Sequence, residues 1–286
     1  MKTIWISVLW VLLNASIPAM SQNAEDLRRD IPFQLHEGYI IVTRGSIGNL
    51  AKLSFMIDTG CYTSVVDQRI LRKLKLGEIG RQQVTSFDRN RAARTYLLPE
   101  LQLGPIRVSS LPVFSGDFSY IGDTLGQSVQ AQIGLDVLRR SNFTIDFKRR
   151  ILSFRKTAPL ESTISLEPDS QAIVASVKIQ GSDFRLVVDS GARNIVLFRN
   201  QVQDRLPTLK GRGEVAVRHI AGQSSFQLVS LNEVSLGKTR LRDLTACLLE
   251  GSHTNLPKVD GVLAISALQA RRLHFDFESN TMSWER

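Results

Sequence analysis

Leu53-Ser54-Phe55-Met56-Ile57-Asp58-Thr59-Gly60 and Phe184-Arg185-Leu186-Val187-Val188-Asp189-Ser190-Gly191 carry one pattern twice, 131 residues apart. In each, large apolar side chains alternate (Leu53, Phe55, Ile57; Phe184, Leu186, Val188) and the run ends on Asp-[Thr/Ser]-Gly. Alternation with period two marks a half-buried β-strand, so each Asp is expected at a strand end. One copy of the tripeptide would carry little information, because Asp, Ser and Gly are ordinary turn residues. Two copies at matching places are more telling, since turn chemistry does not require Asp at both.

Working outward, other blocks repeat in the same order. Gly134-Leu-Asp-Val-Leu138 lies over Ala264-Ile-Ser-Ala-Leu268, and Phe143-Thr-Ile-Asp-Phe147 over Leu273-His-Phe-Asp-Phe277, both at an offset of 130. Ser153-Phe154 matches Ser283-Trp284, and Leu103-Gly104 matches Leu236-Gly237 at an offset of 133. The chain is therefore read as a duplicated unit, joined in the polar stretch Lys156 to Glu167 around Pro159. Lobes of residues 31–157 and 158–286 are expected, each large enough for its own core. Val42, Val174 and Val177 sit in β-branched runs just upstream of the two motif strands. Short helical stretches are expected at Asp67 to Leu74, with Asp67 as N-cap, and at Asp136 to Arg140 with its counterpart Ser266 to Arg271. Strand-rich units with single short helices predict an all-β fold of two homologous β-barrel-like lobes.

A duplication suits the two Asp residues chemically. If the units pack about a pseudo-twofold axis, both strand ends meet there and Asp58 faces Asp189. Two carboxyls that close do not both ionise readily, so they share a proton. The charged member serves as general base to a water, the neutral member donates to a carbonyl, and the roles reverse. The pair titrates as a unit, so sequence assigns neither residue a fixed role. Gly60 and Gly191 are expected to let the backbone turn tightly and approach the other lobe. Thr59 and Ser190 place a hydroxyl beside each carboxyl, suited to bracing the facing loops.

These residues resemble the active-site signatures of the pepsin-like and retroviral-type aspartic peptidases, most closely the bacterial retropepsin-like proteins with two fused units. Gln132-Ile133-Gly134-Leu135 and Asp260-Gly261-Val262-Leu263 resemble the hydrophobic-hydrophobic-Gly segment that follows in each lobe. The resemblance covers nearly all of the chain after the N-terminal segment. It implies an acid-protease fold, a monomeric intramolecular pseudo-dimer, a peptide or protein substrate extended in the cleft between lobes, catalysis by Asp58 and Asp189, and no metal or organic cofactor. It also implies a β-hairpin flap from one or both units. The candidates are Thr85 to Ala92, including Phe87, and Arg218 to Gln223, including His219, Ile220, Ala221 and Gly222. The first of these is equally readable as a charged surface loop.

The sequence departs from the family pattern in several places. Ala131 stands where the second unit has Gly261, and Ala264 where the first has Gly134. Cys61 and Ala192 follow the motifs, where pepsins usually carry Ser or Thr. Losing those hydroxyls removes donors to the ionised pair, so an activity optimum less acidic than that of pepsin is expected. Cys61 is readable as a small buried apolar residue or as a redox-sensitive position. Cys61 and Cys247 are the only cysteines, and they suit a disulfide or two free thiols, since pairing depends on Cα separation.

The N-terminus reads separately. Lys2, the apolar run Ile4 to Leu13 and the small residues Ala19-x-Ser21 predict a secretory signal over residues 1–21, cleaved after Ser21. Its apolar run is about half of the roughly 20 residues that span a membrane. Residues 22–30 read as a polar tail or a short propeptide, and the protein is expected to be secreted or periplasmic. The formal charge of +9 suits acidic substrates or anionic cell-surface polymers, or simple solubility. Basic pairs such as Arg28-Arg29 and Arg139-Arg140 lack interleaved aromatics, so no nucleic-acid partner is expected. His36, His219, His253 and His274 show no ligand spacing, which argues against a metal site, and His274 falls in a strand pattern with a structural role. No Gly-x-Ser-x-Gly elbow or phosphate-binding Gly loop occurs. The functional alternative to an aspartic endopeptidase is a silent or narrowly specific descendant that binds peptide or cell-envelope ligands in the cleft.

Overall fold

The computed structural model describes residues 29–85, 90–168, 171–219, 222–250 and 259–286. The expected signal segment, residues 22–28 of the expected tail, and Phe87, Ile220 and Ala221 of the candidate flaps lie outside the described residues.

Ten strands of the first half recur in order in the second. The first set is β1 (Asp30–His36), β2 (Ile40–Ile47), β3 (Leu50–Ile57), β4 (Val65–Asp67), β5 (Glu78–Thr85), β6 (Asn90–Leu103), β7 (Ile106–Gly116), β8 (Ala131–Ile133), β9 (Phe143–Asp146) and β10 (Ile151–Ser153). The second is β11 (Ser162–Pro168), β12 (Ile173–Ile179), β13 (Ser182–Asp189), β14 (Ile195–Phe198), β15 (Lys210–His219), β16 (Gly222–Leu236), β17 (Thr239–Leu249), β18 (Gly261–Ala264), β19 (Arg272–Asp276) and β20 (Thr281–Glu285). Asp30, the last residue of the expected tail, pairs with Ser153 in the sheet.

Each lobe closes into a barrel. In the first, the hydrogen-bonded order β2-β3-β8-β4-β7-β6 returns to β2, where Ile47 meets Leu101. The second follows the same circuit, β12-β13-β18-β14-β17-β16, and returns where Ile179 meets Val234. Closure leaves these strands no free edge inside the ring. The turns between β6 and β7 and between β16 and β17 pivot on Gly104 and Gly237, both left-handed with φ near +55°. That conformation costs glycine little, and it explains why Leu-Gly recurs at both places.

The expected half-buried alternation of the motif strands is corrected. Phe55 and Ile57 face the main core, but the intervening Met56 packs in a second cluster with Val42, Val65 and Phe118. Val187 does the same in the other lobe, with Val174, Val196 and Val262. Both faces are buried because a barrel lies on one side and a covering layer on the other. In the first lobe that layer includes α2 (Ser119–Leu125), a helix the sequence pattern did not signal. Helix α1 (Gln68–Lys73) forms where expected, and the Asp67 carboxylate accepts from the Arg69 backbone N–H as its N-cap. The later helical turns begin one residue before the expected starts and end two and three residues short of the expected ends, as α3 (Leu135–Leu138) and a 3₁₀ turn at Ile265–Leu268. A further short helix, α4 (Arg199–Val202), follows β14.

The lobes share a third sheet of order β1-β10-β9-β19-β20-β11. At its centre Thr144 pairs with His274, which is its own counterpart in the repeat, so the pseudo-twofold axis passes between them. Phe143 meets Phe275 there with ring centroids 5.0 Å apart, and the Thr144 hydroxyl lies 2.9 Å from His274 Nδ1. One continuous apolar core thus runs through both barrels and under the site.

Candidate active site

Both motif Asp residues stand where the axis leaves the barrels. β8 runs parallel to β3, and its Ile133 carbonyl accepts from the Asp58 N–H at 3.0 Å. β18 runs parallel to β13 and holds Asp189 in register with Ala264. Asp58 is 9% exposed and Asp189 6%, and the two carboxyls lie close enough for each to shift the other's ionisation.

Thr59 and Ser190, both wholly buried, tie the loops across the axis. The Thr59 hydroxyl accepts from Ser190 N at 2.9 Å and donates to Val188 O at 2.9 Å. The Ser190 hydroxyl accepts from Thr59 N at 3.0 Å and donates to Ile57 O at 3.1 Å. Four reciprocal bonds between lobes therefore fix the separation of the carboxyls.

Gly60 and Gly191 correct half of their expectation. Neither has a positive φ, so no tight turn requires them. What requires them is space, because a β-carbon on either would press on the opposite carboxyl. Each instead donates its N–H to its own motif Asp, at 2.8 Å to Asp58 Oδ1 and 2.6 Å to Asp189 Oδ1.

The departures in the following segments have local causes. At Gly134 a β-carbon would lie 2.7 Å from the carbonyls of Cys61 and Tyr62, which accept the first N–H groups of α3. At Gly261 it would lie 2.0 Å from Val196 O. The glycine therefore moves between units with the nearest carbonyl. Around α3, the Asp136 carboxylate accepts from the Ser64 hydroxyl at 2.6 Å and its N–H at 2.8 Å. Ser266, the counterpart of Asp136, instead donates to Arg193 O at 2.8 Å.

Burial raises the pKa of both motif carboxyls, because a charge is poorly solvated there. Hydrogen bonds from Asp189, Gly60 N, Gln132 and Cys61 N partly offset this at Asp58. Asp189 is pushed up further by the negative charge of Asp58 beside it. Two carboxyls this close do not both ionise readily, so the pair favours holding one proton between them. Cys61 and Cys247 are both free thiols. Burial, with the charges of Asp58, Asp136 and Asp189, pushes the Cys61 thiol well up and keeps it protonated. Its Sγ donates to Thr63 O at 3.0 Å and so gives nothing to the pair.

Sequence reasoning missed three groups here. Gln132 was quoted only as part of an apolar segment, yet its Nε2 donates to Asp58 Oδ2. A lone amide in an apolar strand was the available signal. Tyr39 and Arg193 gave no signal; they line a cavity of about 280 Å³ between the β1–β2 turn and the second lobe, with Glu37, Thr245 and Ser266. The pKa of the Tyr39 phenol is raised by burial, and the phenol feels the charges of Arg193, Glu37 and Asp189.

Of the candidate flaps, β5 and β6 form a hairpin closed by the pair Thr85 and Asn90, and β15 and β16 one closed by His219 and Gly222. The hairpins occupy equivalent places in the two units, and residues 86–89 of the first candidate lie outside the described residues.

A family model described as Aspartyl protease matches the chain twice, over residues 43–137 and 175–267, which together exceed half of it. Each match contains one of the two Asp-[Thr/Ser]-Gly motifs. No curated protein matches the chain.

Proposed function

Because the chain belongs to the aspartyl protease family, we propose that it is an aspartic endopeptidase in which Asp58 and Asp189 activate one water between them. The observation that carries this reading is the pair itself: two buried carboxyls in contact on the pseudo-axis, braced by reciprocal Thr59 and Ser190 bonds. Shared protonation of such a pair is the behaviour for which aspartic proteases are the type case.

The step balances without any other group. The charged carboxylate takes a proton from water as its oxygen attacks the scissile carbonyl carbon, while the neutral carboxyl gives its proton to the carbonyl oxygen. The C–N bond then breaks as the newly protonated carboxyl passes its proton to the amine. The other carboxyl recovers a proton from the tetrahedral intermediate as the carbonyl reforms. The rigid cross-lobe bracing keeps the pair positioned throughout, which is where much of the rate of such a reaction originates.

Both halves of the pair lie on one chain, so the enzyme is proposed to act as a monomer on extended peptide or protein substrates, outside the cytoplasm. N-terminal sequencing of the exported protein, expected to begin at Gln22, tests the location. Peptide-library cleavage between about pH 3 and about pH 8 tests the activity. Cleavage by the wild type that is abolished in Asp58→Asn and in Asp189→Asn supports the reading. Cleavage that survives either change, or folded wild type that cleaves nothing but binds peptides, replaces it with another nucleophile or with a binding protein.

A further inference from the structure

The two halves of the pair match in backbone and differ in one buried side chain. Gln132 on β8 lies opposite Met56 and Val65, while Val262 on β18 lies opposite their counterparts Val187 and Val196. Val262 packs against those valines as a purely apolar contact. Gln132, 6% exposed, instead turns its amide into the site and donates to Asp58 Oδ2. The backbone donors are balanced: Gly60 and Cys61 serve Asp58, and Gly191 and Ala192 serve Asp189. Among the described donors to the pair, Gln132 alone has no counterpart in the other lobe.

We infer that Gln132 is a positioning residue that fixes the shared proton on Asp189 and the charge on Asp58. An amide buried in an apolar strand is costly unless it is hydrogen-bonded, so its place in β8 requires a partner. An N–H donated to a carboxyl favours the ionised form, and a bond of this kind shifts an ionisation constant by roughly tenfold or more. Resting on the peptidase reading above, the assignment makes Asp58 the base toward water and Asp189 the donor to the scissile carbonyl.

Other charges face the pair. Asp136 lies near Cys61 on the Asp58 side, where its charge helps to keep the Cys61 thiol neutral. Glu37, Tyr39 and Arg193 lie on the Asp189 side, where the charges of Arg193 and Asp189 act on the Tyr39 phenol in opposite senses. None of these side chains bonds directly to the pair among the described contacts, and the assignment rests on the direct bond from Gln132 to Asp58.

Carboxyl-carbon NMR titration of the full protein labelled at Asp, with signals assigned from Asp58→Asn and Asp189→Asn, reads the proton directly. The expected wild-type result is an ionised Asp58 signal over a pH range where Asp189 remains neutral. Gln132→Val installs the residue that the second lobe already carries at this position. It should raise the lower ionisation step by about one pH unit, a tenfold change in its constant. Adding Val262→Gln to that variant should move the charge to Asp189. Gln132→Met serves in the same way if the valine variant does not fold. A lower step that stays in place in a folded variant, or a wild-type Asp58 that holds the proton, overturns the inference. The titration needs no turnover, so it stands apart from the cleavage test. Where cleavage is present, the acid limb of kcat/KM should shift by the same amount.

Discussion

A β-carbon on Gly60 would lie 2.4 Å from the carboxyl carbon of Asp189, and one on Gly191 would lie 3.0 Å from that of Asp58. Gly60→Ala should therefore displace the pair more than Gly191→Ala. A displacement approaching an ångström costs about a hundredfold in rate, so kcat should fall by at least about that factor in Gly60→Ala and by less in Gly191→Ala. Steady-state kinetics beside thermal unfolding checks the order, and equal losses would refute the crowding argument. Thr59→Val keeps the shape of the side chain but leaves Ser190 N–H and Val188 C=O without their buried partner. Each such orphan costs about 1–3 kcal/mol, so urea unfolding should show a loss of about 2–5 kcal/mol. At this scale the sequence was legible for Asp58, Asp189, Thr59 and Ser190, because a chemical type recurred at a fixed spacing. It was not legible for Gln132 or Arg193, whose roles come from packing against residues far along the chain.

The central strands β9 and β19 place His274 against Thr144 with little access to solvent. Burial holds the imidazole below its ordinary pKa, because the cation is poorly solvated there. The unfolded chain then binds more protons than the folded one in mildly acidic solution. The stability tied to neutral His274 is thus complete above the unfolded value of about 6.5 and is lost as pH falls through that value toward the folded one. His274→Thr, which copies the other half of the pair, should flatten the pH dependence of the unfolding free energy over this window. Urea midpoints measured across it decide the point, and an unchanged slope would assign the acid sensitivity to other groups. The elements themselves were legible where a pattern repeated, as in the motif strands and in the helix capped by Asp67. Helix α2 was not, because its Ile121 and the preceding Phe118 are explained only by the Met56 face of β3 that they cover.

Six strands from both lobes form one sheet, and Phe143 and Phe275 meet across its centre. Unfolding should consequently be a single transition, with the emission of buried Trp284 and far-ultraviolet circular dichroism changing together. Phe143→Ala should lower stability by about 3–5 kcal/mol, as expected for an aromatic removed from a core. It should lower both probes equally, although Phe143 belongs to the first lobe and Trp284 to the second; separate transitions would mean that the lobes fold independently. The sequence by itself determined the duplication, the all-β class, and the two Asp residues at equivalent strand ends, because local periodicity and repeated chemistry survive in the linear order. Only the tertiary structure decided that both barrels close, that glycine is needed beside each carboxyl for space, and that Asp58 receives an amide where Asp189 receives none. Those features depend on distances between segments more than 50 residues apart, and a linear pattern encodes residue type and spacing but not where two strands converge.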